Sequence, residues 1–190
     1  MKEALIDGLA RRLESQHGVP PELALLPLPP DGERLLITDS HDVTGFNDDG
    51  FSSRYSFLHR VPRGWVLFEH EGPGVIRLIR TIGFRGRLEM YLDAAPGTGE
   101  PSFSVPFEEL HSGRRPGFPP HLVADLARGH GSAWCYVPFP FERRCTVIAA
   151  GEPEEGPHFY TIFAHVLPRG GDRSASVHAA SSSSSSFRTW

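Results

Sequence analysis

Between residues 31 and 171 the chain is a succession of short apolar–polar alternations, each cut off by glycine or proline. Leu88, Met90 and Leu92 alternate with Glu89, Tyr91 and Asp93. Phe103, Val105 and Phe107 alternate with Ser102, Ser104 and Pro106, and Phe159, Thr161 and Phe163 with Tyr160, Ile162 and Ala164. A period of two sends successive side chains to opposite faces of a strand, so each run buries one face and fits an antiparallel sheet packed on a partner. WVLFEH (65–70), VIRLIRTI (75–82) and CTVIAA (145–150) are more continuously apolar, as strands covered on both sides would be. Turn signals at 62–64, 72–74, 95–97, 113–116 and 154–157 separate the runs. With 20 glycines and 18 prolines in 190 residues, about one position in five is a turn former. The pattern predicts an all-β chain, a jelly-roll-like antiparallel β-sandwich, and argues against a helical bundle.

The flanks read differently. Leu5, Leu9 and Leu13 recur at every fourth position and predict a short N-terminal helix over 3–16, ended by Gly18, Pro20 and Pro21. With the proline-rich connector that follows, this segment occupies 1–30, the sandwich 31–171, and a tail 172–190. The tail contains six consecutive serines, Ser181 to Ser186, and has too little apolar surface to order itself. A further short helix is predicted after Pro119 and Pro120, using Leu122, Val123 and Leu126.

Charge and motifs exclude several functions. A formal charge of -4 leaves no basic surface to neutralise phosphates, so no nucleic-acid partner is expected. No apolar run approaches the ~20 residues of a membrane span, and no membrane partner is expected. Glu3 and Asp7 interrupt what would be the apolar core of a secretory signal, which makes the cytoplasm the expected location. The ten histidines include no HExxH and no Cys/His cluster, so neither a metal nor a cofactor is expected. Cys135 and Cys145 could face each other across a hairpin, but two buried thiols are the preferred reading.

The densest polar cluster is DSHDVTGFNDDGFSSRYS, residues 39–56. It offers the carboxylates of Asp39, Asp42, Asp48 and Asp49, the Asn47 amide, His41 and Arg54. Such a loop can accept hydrogen bonds from several hydroxyls of a sugar. It can equally be a run of turns in which Asn and Asp bond their own backbone. It is not a calcium loop, because Gly50 and not Glu falls at the twelfth position. Glu108–Glu109, Glu89–Asp93 and Glu142 are possible glycosidase acids, although exposed acids on strand faces are commonplace. WCYVPFPF (134–141) could be an aromatic sugar platform, with core filling the safer reading.

In order along the chain, TGFNDDGFSSRYSFL, GPGVIRLIR, LEMYLD, VPFEELHSG, GFPPHLV, YVPFPF with the following Cys145, and FYTIFAHV resemble the N-terminal half of the DUF2961 proteins, glycoside hydrolase family 172. The resemblance covers roughly residues 37–168. It implies the first of two consecutive jelly rolls, assembly into a homo-oligomer, and a furanoside-containing glycan, of fructofuranose or D-arabinofuranose type, as carbohydrate partner. If active, such a protein is a retaining hydrolase that uses a pair of glutamates. In the family that pair falls C-terminal to the part matched, so the resemblance implies a truncated form whose catalytic residues are unknown here. Asn47, Asp48 and Asp49 correspond to the family's Asn/Asp-Asp-Gly loop, which together with Arg54 gives the expected substrate-binding set. Arg80 departs from the Trp that members often carry after the GPG strand. The alternatives are a noncatalytic carbohydrate-binding or assembly module, and a gene product with no role of its own.

Overall fold

The computed structural model describes residues 32–95, 99–151 and 156–167. The chain divides into two compact units, Met1–Arg34 and Leu35–Trp190, and the sandwich belongs to the second. The expected helix over 3–16 and the serine-rich tail lie outside the described residues.

Strand β1 (Arg34–Asp39) is followed by β2 (His59–Val61), β3 (Gly64–Glu71), β4 (Gly74–Ile82), β5 (Arg87–Leu92) and β6 (Phe103–Pro106). One helical turn, α1 (Phe107–Leu110), comes next. The remaining strands are β7 (Val123–Ala124), β8 (Ala133–Cys135), β9 (Phe139–Phe141), β10 (Arg144–Ala150) and β11 (Phe159–Val166). One sheet has the order β1-β11-β4-β8-β7, with β9 also on β4, and the other the order β2-β3-β10-β5-β6. Consecutive strands β3, β4 and β5 thus alternate between sheets, and two antiparallel layers close a sandwich as the alternation predicts.

The core between the layers holds Leu67 and Phe68 from β3, Ile76 and Ile79 from β4, Leu88 and Met90 from β5, Val147 from β10, and Ile162 and Ala164 from β11. Each large apolar side chain fully buried contributes about 1.5–3 kcal/mol. Two bulges tune which residues face inward. Phe68 pairs with Val147 but Val66 with Ile148, so Leu67 is the extra residue and turns into the core beside Phe68. On β4 the shift falls between Ile76 and Leu78, which leaves Arg77 as the extra residue, exposed to solvent.

The layers are also tied by polar groups: Thr38 Oγ1 of β1 donates to the Leu67 carbonyl of β3 at 2.8 Å. Asp93, at φ 60° just past β5, accepts from the backbone N–H groups of Glu142 (2.9 Å) and Arg143 (2.6 Å) and staples the turn into β10.

Several local expectations are corrected. VIRLIRTI is not covered on both faces, since Arg77 and Arg80 are exposed on the outer face of their sheet. Residues 121–132 do not form the helix expected after Pro120. Val123 and Ala124 instead pair with Cys135 and Trp134, and Asp125 closes a turn by accepting from the Arg128 N–H at 3.0 Å. Cys135 and Cys145, by contrast, are the free, buried thiols of the preferred reading, in opposite sheets and not on one hairpin. Burial pushes them up to about 11 and about 12, respectively.

The polar face of β5 is the largest departure. Glu89 is 5% exposed and Tyr91 1%. Tyr91 packs with Val66 and Ile148 in a second apolar cluster. The Arg63 guanidinium grips Glu89 with two bonds, Nε to Oε2 at 2.8 Å and a terminal nitrogen to Oε1 at 2.7 Å. Tyr91 donates its hydroxyl to the same carboxylate at 3.2 Å. The hydrogen bond from Arg63 outweighs burial and holds the Glu89 carboxyl below its ordinary 4.5. Its stabilising effect is therefore complete above that value, and it is lost as pH falls toward the lower value of the folded state. Glu89→Gln is expected to be less stable than the parent at neutral pH and to lose part of the acid sensitivity below pH 4.5. Denaturant titrations across that range check this, and parallel stability curves for the two proteins would contradict it.

Candidate functional site

The 39–56 segment folds as a loop whose carboxylates first satisfy its own backbone. Asp42 is almost fully buried and accepts from the Thr44 N–H at 2.9 Å, the Thr44 hydroxyl, and the Asp48 N–H at 3.1 Å. These bonds, the Thr44 hydroxyl above all, hold its carboxyl far below the usual range against the opposing effect of burial. Asp48 accepts from the Ser52 N–H at 2.9 Å and from the Ser52 hydroxyl. Asp49 Oδ1 accepts from the Asp42 N–H at 2.9 Å and lies 3.6 Å from His41 Nδ1. The run of Asx-type turns weighed for this sequence is thus present. Asn47, Asp49 and Ser53 complete it at φ 63°, 46° and 64°, a region that Asn and Asp tolerate better than most residues.

Two close backbone approaches fix the loop to the sandwich. A side chain at Gly50 would place its first carbon 2.1 Å from the His158 carbonyl oxygen. One at Gly83, after β4, would place it 2.1 Å from the Pro157 carbonyl oxygen. The 157–158 backbone therefore runs directly against two residues that must lack a side chain. The His158 N–H donates to the Gly50 carbonyl at 2.9 Å, and the Ser56 hydroxyl donates to the His158 carbonyl at 2.6 Å. The His158 ring is buried edge-on against Trp65 (5.3 Å between centroids) and Phe84 (5.2 Å), and its Nδ1 bonds the Gly156 carbonyl at 2.7 Å.

Beside this clasp lies a cavity of about 310 Å³ at the outer face of the β1–β11–β4 sheet. Asp39, His41, Asp49 and Arg80 line it, together with Ile82, Phe159 and Thr161. Cross-strand pairing places Arg80 opposite Thr161 and Ile82 opposite Phe159. Arg80 Nε donates to the Ser132 hydroxyl at 2.6 Å, which fixes the guanidinium at the rim. On its other side Arg80 is in register with Trp134, whose ring meets that of the half-exposed Tyr136 at 5.2 Å.

Of the expected substrate-binding residues, Asp49 lines this cavity, whereas Asn47, Asp48 and Arg54 do not. Asn47 is exposed at the loop tip, Asp48 is engaged with Ser52, and the exposed Arg54 lies over the Tyr55 ring at 5.5 Å. Asp39 and His41 belong to the cluster singled out in the sequence. Arg80 stood out there only as a departure from the family pattern, because a strand arginine reveals its neighbours only once register is known. WCYVPFPF divides by alternation: Cys135, Phe139 and Phe141 fill the core, while Trp134 and Tyr136 face outward.

Several of the other acids are occupied. Glu89 is held by Arg63, Asp93 caps a turn, and Glu109 pairs with Arg115 at 3.0 Å. Glu69 and Glu71 line a shallow depression on the other sheet. Each is more than half exposed, and they are paired with His59 at 3.2 Å and Arg144 at 2.7 Å. A glycosidase general acid has to be kept protonated by burial or a like charge, and at Glu89 and Asp93 the hydrogen bonds from Arg63 and from the 142–144 backbone do the opposite. Among the described residues no three His, Cys, Asp or Glu side chains gather as a metal site, and no helix is long and apolar enough to cross a membrane.

Gly50→Ala tests the clasp. The added methyl group forces the loop off the 157–158 backbone at an expected cost of about 1–3 kcal/mol. The amide resonances of Asp42 and Asp49 should move while those of β5 and β10 stay in place. A variant of parental stability with an unmoved loop would contradict the geometry.

A family model for the GH172 first beta-sandwich domain matches residues 32–174. No curated protein matches the chain. The match spans most of the sequence and coincides with the two-sheet architecture and the loop built on it, so the chain belongs to glycoside hydrolase family 172, through its first β-sandwich domain.

Proposed function

We propose that this sandwich is the substrate-orienting half of a furanoside-acting retaining glycosidase and does not itself carry the glutamate pair. The observation that supports this reading most is the 310 Å³ cavity, which gathers acceptors, a cation and apolar surface in one place. Asp39 and Asp49 accept hydrogen bonds from ring hydroxyls, and the Arg80 guanidinium donates to hydroxyl or ring oxygens. Ile82 and Phe159 pack on the C–H face of the sugar, with Trp134 and Tyr136 as a neighbouring aromatic surface. Asn47, Asp48 and Arg54 sit at the loop's outer side, where they meet the remainder of a longer glycan. In the complete reaction one glutamate attacks the anomeric carbon while the second, protonated, gives its proton to the leaving oxygen. Hydroxyl recognition next to that centre fixes the ring in position for attack.

The rival reading is a noncatalytic carbohydrate-binding module, and the same cavity would serve it. Calorimetry with methyl arabinofuranoside and methyl fructofuranoside, beside a hydrolysis assay on aryl furanosides, separates the possibilities. Binding without turnover is expected, with Asp49→Asn weakening affinity about tenfold or more, the worth of one charge-assisted hydrogen bond. Unchanged affinity in Asp49→Asn would overturn the loop assignment. Turnover abolished by a single Glu substitution would show that the acid pair resides in this chain.

We also propose that the protein associates with copies of itself. The reading is supported by β1, which ends its sheet and exposes Leu35 and Ile37 on alternate positions, 54% and 45% accessible. An edge strand with apolar outward residues is a template for association. Light scattering should report an oligomer that Leu35→Asp together with Ile37→Asp dissociates. A monomeric parent at micromolar concentration would contradict this.

A further inference from the structure

The outer face of the β1-β11-β4-β8-β7 sheet continues past the acidic-loop cavity, on the side away from β1. Cross-strand register sets Thr161 of β11, Arg80 of β4 and Trp134 of β8 in one row. Directly opposed residues of antiparallel strands share a face, so the three side chains stand side by side. Arg80 and Ile82 bound the cavity on the side toward β8. With neighbouring strands about 4.8 Å apart, Trp134 lies one strand beyond Arg80 and two strands, roughly 10 Å, beyond Thr161.

Trp134 is half-buried between the inward Ala133 and Cys135, and Tyr136 is 50% exposed. Their rings meet at 5.2 Å and 61°, an edge contact that steadies both. Single exposed aromatics are ordinary on a protein surface. This pair differs in what adjoins it. Arg80 Nε is tied to the Ser132 hydroxyl, and among the described residues that is the one hydrogen bond its side chain makes. Ser132 is itself set by a tight turn. His130 and Gly131 have φ 53° and 91°, and a side chain at Gly129 would meet the Ser132 carbonyl oxygen at 1.8 Å. The guanidinium is thus fixed between the cavity and the ring pair, with its terminal nitrogens left to donate. The cavity's 310 Å³ lies at the lower end of the range for small-molecule sites, roughly 300–1,000 Å³, which suits one sugar unit and not a chain.

We propose that Trp134 and Tyr136 form a second sugar subsite, joined to the cavity through Arg80, so that the protein recognises an oligosaccharide laid across β11, β4 and β8. This rests on the furanoside reading of the cavity and adds to it the length of the ligand and the residues that measure it. One sugar unit occupies the cavity, and Arg80 donates to an oxygen of the linkage or of an adjoining hydroxyl. The next unit lays its C–H face on the Trp134 and Tyr136 rings. A sugar matches this surface because it offers a C–H face to the rings and hydroxyls to the guanidinium and to the Tyr136 hydroxyl.

Calorimetry on the full chain tests this by comparing methyl arabinofuranoside with a linear arabinofuranotriose, and methyl fructofuranoside with inulotriose. In at least one pair the trisaccharide is expected to bind about tenfold tighter than the methyl glycoside. Trp134→Ala should cut that gain to about threefold or less and leave the methyl glycoside's affinity unchanged, while Trp134→Phe, which keeps a ring face, retains most of it. In the parent protein, labelled with ¹⁵N at tryptophan, the Trp134 indole resonance should move with the trisaccharide and stay in place with the methyl glycoside. If Trp134→Ala does not fold, that resonance decides the matter. A trisaccharide no tighter than its methyl glycoside, or a gain untouched by Trp134→Ala, would overturn the second subsite and leave the furanoside reading standing. Loss of self-association in Trp134→Ala with the length preference intact would make the ring pair a contact between copies of the chain, and would overturn it too. No binding of any of the four probes would defeat both readings.

Discussion

The backbone of residues 157–158, pressed between Gly50 and Gly83, is the constraint on which the acidic loop and the cavity beside it depend. One glycine belongs to the acidic loop and the other follows β4, so a single stretch of chain joins the loop to the sheet beneath it. His158 completes the joint, bonded through its backbone to Gly50 and Ser56 and packed through its ring on Trp65 and Phe84. Trp65 and Phe84 belong to, or pack on, the main core, so loop position is coupled directly to core packing. Without this joint the carboxylates of 42–49 would still form turns, but nothing would aim Asp49 at the sheet.

The end of β4 lies between two cavities, the one beside the acidic loop and another of about 340 Å³ behind Thr81, Gly83 and Phe84. Ile82 and Arg80 face the first and Thr81 the second, as alternation along β4 requires. The first is suited to a ligand held by charge-assisted bonds from carboxylates and a guanidinium. The second combines Phe84, Phe107 and Leu126 with Glu108, Arg114 and Asp125. Groups arranged around one rigid strand end are in place before any ligand arrives, which would limit the ordering cost of binding.

The architecture was legible in the sequence because alternation and turn residues report directly on strand faces and strand ends. Leu88, Met90, Val105 and Phe107 lie on the faces that the alternation gives them, whereas β11 buries Tyr160, Ile162 and Ala164 and turns Phe159, Thr161 and Phe163 outward, the reverse of the reading from its aromatic residues. What escaped was set by partners remote in sequence. Glu89 reads as a surface acid until Arg63, 26 residues away, is known to grip it. Val123 reads as helical until Cys135 is known to pair with it. Asp49 stood out in a cluster of carboxylates, but alternation could not show that Asp42 and Asp48 serve the loop's own backbone while Asp49 lines a cavity. Arg80 becomes visible only through register.

The central claim is that the acidic loop is a fixed array, held by its own carboxylates and by the contact with His158, and not a flexible segment that organises on binding. Native-state amide hydrogen exchange tests it most directly. The N–H groups of Asp42, Thr44, Asp48, Ser52 and His158 are each bonded within the clasp and should exchange as slowly as those of β4 and β11. Exchange of these amides at free-peptide rates, while the strands remain protected, would contradict the account.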